Sequence, residues 1–232
     1  MELSHNAKRA LWAHVLPFMA WIAIMSVSVG SPVWRYVVQA AASAVLFCVL
    51  KPWRYYPRVK IAQLPLALAV GVVVCVVWIL PESPWMFNFP YAHDLYLKWG
   101  IRPLGVITGT EATSPYSPDQ CGWGLTLLKL AGSALVIATA EEFFWRGFLY
   151  RWFVAREFLG VDPGRIHRAL FVITALLFGM EHDRWLVGMV AGLAYGWLYA
   201  RTSDIWAAVF AHIVTNFLLG LYVLVTASYF FW

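Results

Sequence analysis

The chain has 232 residues, of which 62% are hydrophobic and only 12% charged, where an ordinary soluble domain has about 45–50% apolar and about 25% charged residues. Small water-soluble folds leave much of their surface exposed and cannot hide such an excess, so the composition excludes a soluble globular protein and points to the bilayer as solvent. The net charge of +5 would fit a nucleic-acid binder in a soluble protein, but here the basic residues gather between apolar runs, where they read as positive-inside topology signals, and nucleic acid is not an expected partner.

In chain order, the basic pair Lys8-Arg9 precedes an apolar run over about 11–30. That run is longer than a signal-peptide h-region and lacks a small-x-small cleavage site, so it reads as a retained signal anchor. Further runs cover about 33–50, 61–80, 123–153, 169–182, 185–200 and 205–230. A crossing helix needs about 20 residues at about 1.5 Å each. The first three runs fit directly. The fourth is too long for one straight crossing and should tilt or protrude. The fifth and sixth, joined by Asp183-Arg184, predict a helical hairpin that stops short of the far surface, and the last should break near Gly220. The expected fold is all-α: a polytopic transmembrane helical bundle of about seven membrane helices, within a range of six to eight. It forms a single membrane domain over 1–232, with three N-terminal helices and an external loop in 1–122 and a catalytic core in 123–232.

Basic residues set the orientation. Lys51, Arg54, Arg58 and Lys60 crowd one loop, Arg146, Arg151, Arg156, Arg165 and Arg168 another, and Arg201 marks a third. With Lys8 and Arg9 they fall on one side if each run crosses once, which predicts a cytoplasmic N-terminus. The segment from about Pro81 to Gly122, with Trp85, Phe87, Phe89, Tyr91 and Trp99, then lies outside as an interfacial loop or half-buried flap. Cys48 and Cys75 lie in apolar runs and Cys121 precedes one; an odd count without CxxC implies neither disulfide framework nor zinc knuckle.

Ionisable groups within membrane helices are costly, and each is a functional hypothesis. The densest cluster is Glu141-Glu142-Phe-Phe-Trp-Arg146. Glu142 and Arg146, at i and i+4, can pair on one helix face. Glu141 is turned about 100° away and is left for another task. The second cluster is Phe178-Gly-Met-Glu181-His182 and the third is His212-Ile-Val-Thr-Asn216. Counted from the basic helix ends, Glu141 lies about 15 Å deep, His182 about 21 Å, His212 about 16 Å and Asn216 about 22 Å. Separate helices thus bring polar residues to one stratum. A shielded carboxylate beside an imidazole can deprotonate a water molecule, and burial favours a glutamate that acts as a general base near neutrality. A second imidazole and a carboxamide can donate to the oxygen of a tetrahedral intermediate. That set suits amide hydrolysis by direct water attack.

Glu141-Glu142-x-x-x-Arg146, Phe178-x-x-x-His182 and His212-x-x-x-Asn216, in that order, resemble the CAAX-protease and bacteriocin-processing-enzyme family, which includes the Ras-converting type endopeptidases. The resemblance spans about 123–222. It implies a glutamic-type intramembrane endopeptidase without metal or other cofactor. Glu141 and His182 would activate water, His212 and Asn216 would form the oxyanion hole, and Glu142, Arg146 and Phe178 would support them. The implied partner is a membrane-associated protein or peptide, lipidated or not, within the bilayer. The chain as a whole resembles a bacterial subgroup associated with exosortase and exopolysaccharide loci, which implies the bacterial plasma (inner) membrane. Two other readings stay open. Glu141, His182 and His212 could form the two-His-one-carboxylate site of a metal-dependent hydrolase, although no HExxH is present and no two of these ligands share a helical face. The same polar residues could instead serve packing or proton relay in a non-catalytic transporter or assembly scaffold.

Overall fold

The computed structural model describes residues 5–27, 30–101 and 114–232. Among the described residues there are helices and no strands. We number the helices α1 (His5–Met25), α2 (Pro32–Leu50), α3 (Leu64–Ile79), α4 (Pro90–Trp99), α5 (Pro118–Val154), α6 (Arg168–Met180), α7 (Trp185–Thr202) and α8 (Ile205–Thr226). All but α4 coincide with the apolar runs of the sequence. The helices α2, α5 and α8 and the stretch Ile61–Glu82 that contains α3 are each long and apolar enough to cross a membrane, and α6 is apolar but shorter. The chain is an all-helical bundle. Outward-facing Val45, Val49, Val73 and Val76 give it the apolar exterior that lipid requires, since no water is available there to solvate polar groups.

Small residues let the helices approach closely, as membrane packing demands in the absence of a hydrophobic drive between helices. In α3, a Cβ on Gly71 would sit 2.5 Å from the Ala211 carbonyl oxygen of α8, and Thr215 Oγ1 donates to the Gly71 carbonyl across the same contact at 2.9 Å. In the α6–α7 hairpin, a Cβ on Gly192 would meet the Ala175 backbone at 3.1 Å. One expectation is corrected here: α8 runs unbroken past Gly220. That glycine gives room to Leu130 of α5, whose Cδ1 would lie 2.2 Å from an added Cβ, so its role is close packing and not a break.

The 37 residues of α5 would span about 55 Å as a regular helix. Two stretches of wider π-type turn interrupt it, Gly132–Ile137 and Phe143–Leu149. They flank a short regular turn, Ala138–Glu142, that carries both glutamates. Such bulges recur at functional sites because they re-aim side chains without ending the helix. On one flank, Phe18 of α1 stacks on Phe144 with ring centroids 4.4 Å apart.

The loops collect at two ends of the bundle. At one end, Asp204 caps α8 by accepting from Trp206 N, and it also accepts from Lys60 N of the α2–α3 loop. Tyr56 of that loop donates to the Gly147 carbonyl at 3.1 Å and lies 2.9 Å from His14 Nε2, while Arg151 donates to the carbonyls of Leu159 and Val161. At the other end, Arg184 of the hairpin turn forms a two-pronged ion pair with Glu82. Trp185 Nε1 donates to the Trp99 carbonyl and Leu186 N to that of Gly100. The flap that carries exposed Trp85, Phe87, Phe89, Tyr91 and Trp99 is thereby fastened to the hairpin. Residues 102–113 of the predicted external segment lie outside the described residues, as do Ser28 and Val29 of the first run.

Candidate active site

The regular turn of α5 between its two bulges points Glu141 and Glu142 into the bundle, where they are 5% and 0% exposed. Arg146 Nη1 donates to Glu142 Oε1 at 3.0 Å, and Arg146 Nη2 donates to the Gly192 carbonyl of α7 at 3.1 Å. The spacing of this pair was readable in the sequence. A further contact was not: His212 Nδ1 of α8 lies 2.9 Å from the same Glu142 Oε1. Glu142 is therefore shared between a guanidinium and an imidazole and is not neutralised by Arg146 alone. The other ring nitrogen, Nε2 of His212, faces Glu141 Oε2 at 3.8 Å, and that oxygen makes no hydrogen bond to the protein.

Aromatic rings fix these groups in place. Tyr195 of α7 stacks on His212 with centroids 4.8 Å apart and planes 22° apart. Its hydroxyl donates to Thr215 Oγ1 at 2.7 Å. Phe178, 1% exposed, lies under the Arg146 guanidinium at 4.2 Å, a geometry in which the cation meets the negative face of the ring. The Phe178 ring also touches those of Trp145, His182 and His212. Its carbonyl lies 2.8 Å from His182 Nδ1. With the Nδ1 proton committed to that carbonyl, a neutral His182 keeps its lone pair on Nε2.

Among the sequence-predicted residues, the structure joins Glu141, Glu142, Arg146 and His212 directly and places His182 beside them through Phe178. One turn further along α8, Asn216 also meets α5, with Nδ2 donating to the Ser133 carbonyl at 2.9 Å. An amide nitrogen carries two hydrogens, so this contact leaves one of them uncommitted. The imidazole that approaches both glutamates is His212. Among the described residues no three His, Cys, Asp or Glu side chains converge in the manner of metal ligands.

Several contributors escaped the sequence reading. Trp145 Nε1 donates to Glu181 Oε2 at 3.1 Å. Glu181 sat in view, next to His182, and an ionisable residue at membrane depth was the available signal. Tyr195, Thr215 and Ser133 gave no signal at all, because their roles arise only from contacts between helices.

Residues 123–218 match the family model of type II CAAX prenyl endopeptidases, Rce1-like. Comparison with curated proteins and with solved structures finds no match. The matched segment runs from the start of α5 into α8 and contains Glu141, Glu142, Arg146, Phe178, His182, His212 and Asn216. The family is one of CAAX-type proteases acting on membrane-associated proteins.

Proposed function

We propose, from the Rce1-like character of residues 123–218, that this integral membrane protein is a glutamic-type intramembrane endopeptidase that hydrolyses a peptide bond of a membrane-associated protein or peptide. The observation that carries the reading is the Arg146–Glu142–His212–Glu141 chain. It ends on a buried carboxylate oxygen that makes no hydrogen bond to the protein, inside the matched segment.

In this reading Glu141, with the Nε2 lone pair of His182, orients a water molecule and takes its proton while the water oxygen bonds to the peptide carbonyl carbon. The carbonyl oxygen gains charge and is met by the uncommitted Nδ2 hydrogen of Asn216 and by Nε2 of His212. Because Nδ1 of His212 is engaged by Glu142, Nε2 donates only when the ring is an imidazolium; Glu142, held by Arg146, keeps that ring in register. The C–N bond then breaks, and the proton that Glu141 took from the water passes to the amine nitrogen, which returns Glu141 to its starting state. No cofactor takes part. The N-terminus and the basic loop end of the bundle lie in the cytoplasm, and the membrane is the bacterial plasma (inner) membrane.

The test is mass spectrometry of membrane peptides from cells that carry wild type or Glu141→Ala. Peptides produced only by wild type, with new termini at a common site, support the reading and name the substrate; identical peptide sets contradict it.

A further inference from the structure

Each π-type stretch of α5 pairs a glycine with a tyrosine from the N-terminal part of the chain. Gly132 opens the first stretch and Gly147 lies in the second. A Cβ on Gly132 would sit 2.6 Å from the hydroxyl oxygen of Tyr36 in α2, and a Cβ on Gly147 would sit 2.6 Å from that of Tyr56 in the α2–α3 loop. Only glycine leaves room for these hydroxyls. Each of them donates to a backbone carbonyl of α5: Tyr36 to Lys129 at 2.9 Å, just ahead of the first stretch, and Tyr56 to Gly147 at 3.1 Å. Tyr36 also lies 2.9 Å from Ser133 Oγ, and the carbonyl of that serine is the one Asn216 meets. The Tyr56 ring touches that of Phe143, the residue after Glu142, with centroids 5.2 Å apart. Both tyrosines lie outside the matched segment 123–218.

We propose that Tyr36 and Tyr56 are positioning residues, each seated on a glycine of one π-type stretch, which together hold the aim of Glu141 and Glu142; this rests on the endopeptidase reading above. A π-type turn widens the helix and disturbs its own ladder of hydrogen bonds, and at membrane depth the backbone groups so loosened must be met by side chains. The two hydroxyls meet that need at the two stretches. One residue of winding is about 100° of rotation, so a stretch that tightened to a regular turn would swing the residues after it against those before it. The glutamates stand between the two stretches, and either change would turn them against the helices that hold Arg146 and His212.

The test uses the full-length protein in lipid vesicles, with a peptide spanning the cleavage site found in the membrane comparison as substrate, at temperatures where every variant is fully folded. Tyr36→Phe and Tyr56→Phe should each lower kcat about 10- to 100-fold, the scale of a small misplacement of reacting groups, with KM near wild type. Gly147→Ala should have the same effect as Tyr56→Phe. Combined with Tyr56→Phe it should add little, because the added Cβ then has His14 Cδ2 at 3.3 Å and the ring Cζ at 3.5 Å as its neighbours. A readout without substrate comes from nuclear magnetic resonance of protein labelled with 15N-histidine, with the His212 signals identified by their loss in His212→Gln. His212 touches Glu142, so its ring nitrogens should shift in both tyrosine variants. Wild-type kcat in either variant, unmoved His212 signals, or losses from Gly147→Ala and Tyr56→Phe that simply multiply would overturn the assignment. A wild type that cleaves no peptide would instead overturn the endopeptidase reading, while the His212 signals still test the two seats, so the failures are distinct.

Discussion

Removing the charge of Glu142 breaks two contacts at once, because its Oε1 accepts from Arg146 and meets His212. Loss of one partner from a buried ion pair costs about 3–5 kcal/mol, so Glu142→Gln should lower the thermal midpoint and also lower turnover by freeing His212. Glu141→Gln should remove activity and leave the midpoint near wild type, since Oε2 of Glu141 holds no protein hydrogen bond. Thermal unfolding and turnover of both variants check this; equal loss of stability contradicts it. Asn216 gives a second prediction. Asn216→Ala should slow turnover about 100–1,000-fold, as removal of one oxyanion donor does, with little change in KM. Asn216→Asp should be worse, since it sets an acceptor against both the oxyanion and the Ser133 carbonyl that Asn216 now serves. Turnover and KM of the two variants on one peptide decide, and wild-type speed in Asn216→Asp removes the donor role. At this scale the ionisable residues were legible because each is expensive in a membrane. Which imidazole meets which carboxylate was not, since depth along separate helices says nothing of rotation about them.

Helix α5 was legible as an apolar run too long for one regular crossing, but its two π-type stretches were not. Hydrophobic periodicity averages over several turns, and a single wide turn leaves no trace in it. The break expected at Gly220 failed for a related reason: in a membrane, glycine serves close packing at least as often as it ends a helix, and the sequence does not show that Leu130 fills the space. The contact of α3 with α8 supplies the prediction that belongs here. At Gly71 an added Cβ would press on backbone, the Ala211 carbonyl oxygen at 2.5 Å, so the helices must separate. Gly71→Ala should cost about 1–3 kcal/mol of stability, the range for overpacking a tight contact, and should loosen His212, one residue beyond Ala211. Unfolding in mixed micelles checks the size of the effect; an unchanged midpoint would mean the two helices part without cost.

Across the whole molecule, composition and the grouping of basic residues carried most of the information. The three basic loops predicted on one side do gather structurally: Lys60 bonds to Asp204 and to the Thr202 carbonyl, and Tyr56 reaches Gly147 and lies near Arg151. The opposite end, with Glu82 clamped by Arg184, had no sequence signature, because its partners are 102 residues apart. Orientation itself is a prediction: reporters fused after Arg58 or Arg165 should report cytoplasm, and an exterior signal at Arg165 would invert the topology. The central claim, peptide-bond hydrolysis by Glu141 without a metal, is tested most directly with purified protein and one cleavable membrane peptide in the presence of a strong chelator. Wild type should keep its full rate there, and Glu141→Gln should show none. Activity that the chelator abolishes and zinc restores, or a Glu141→Gln protein that still cleaves, would contradict it.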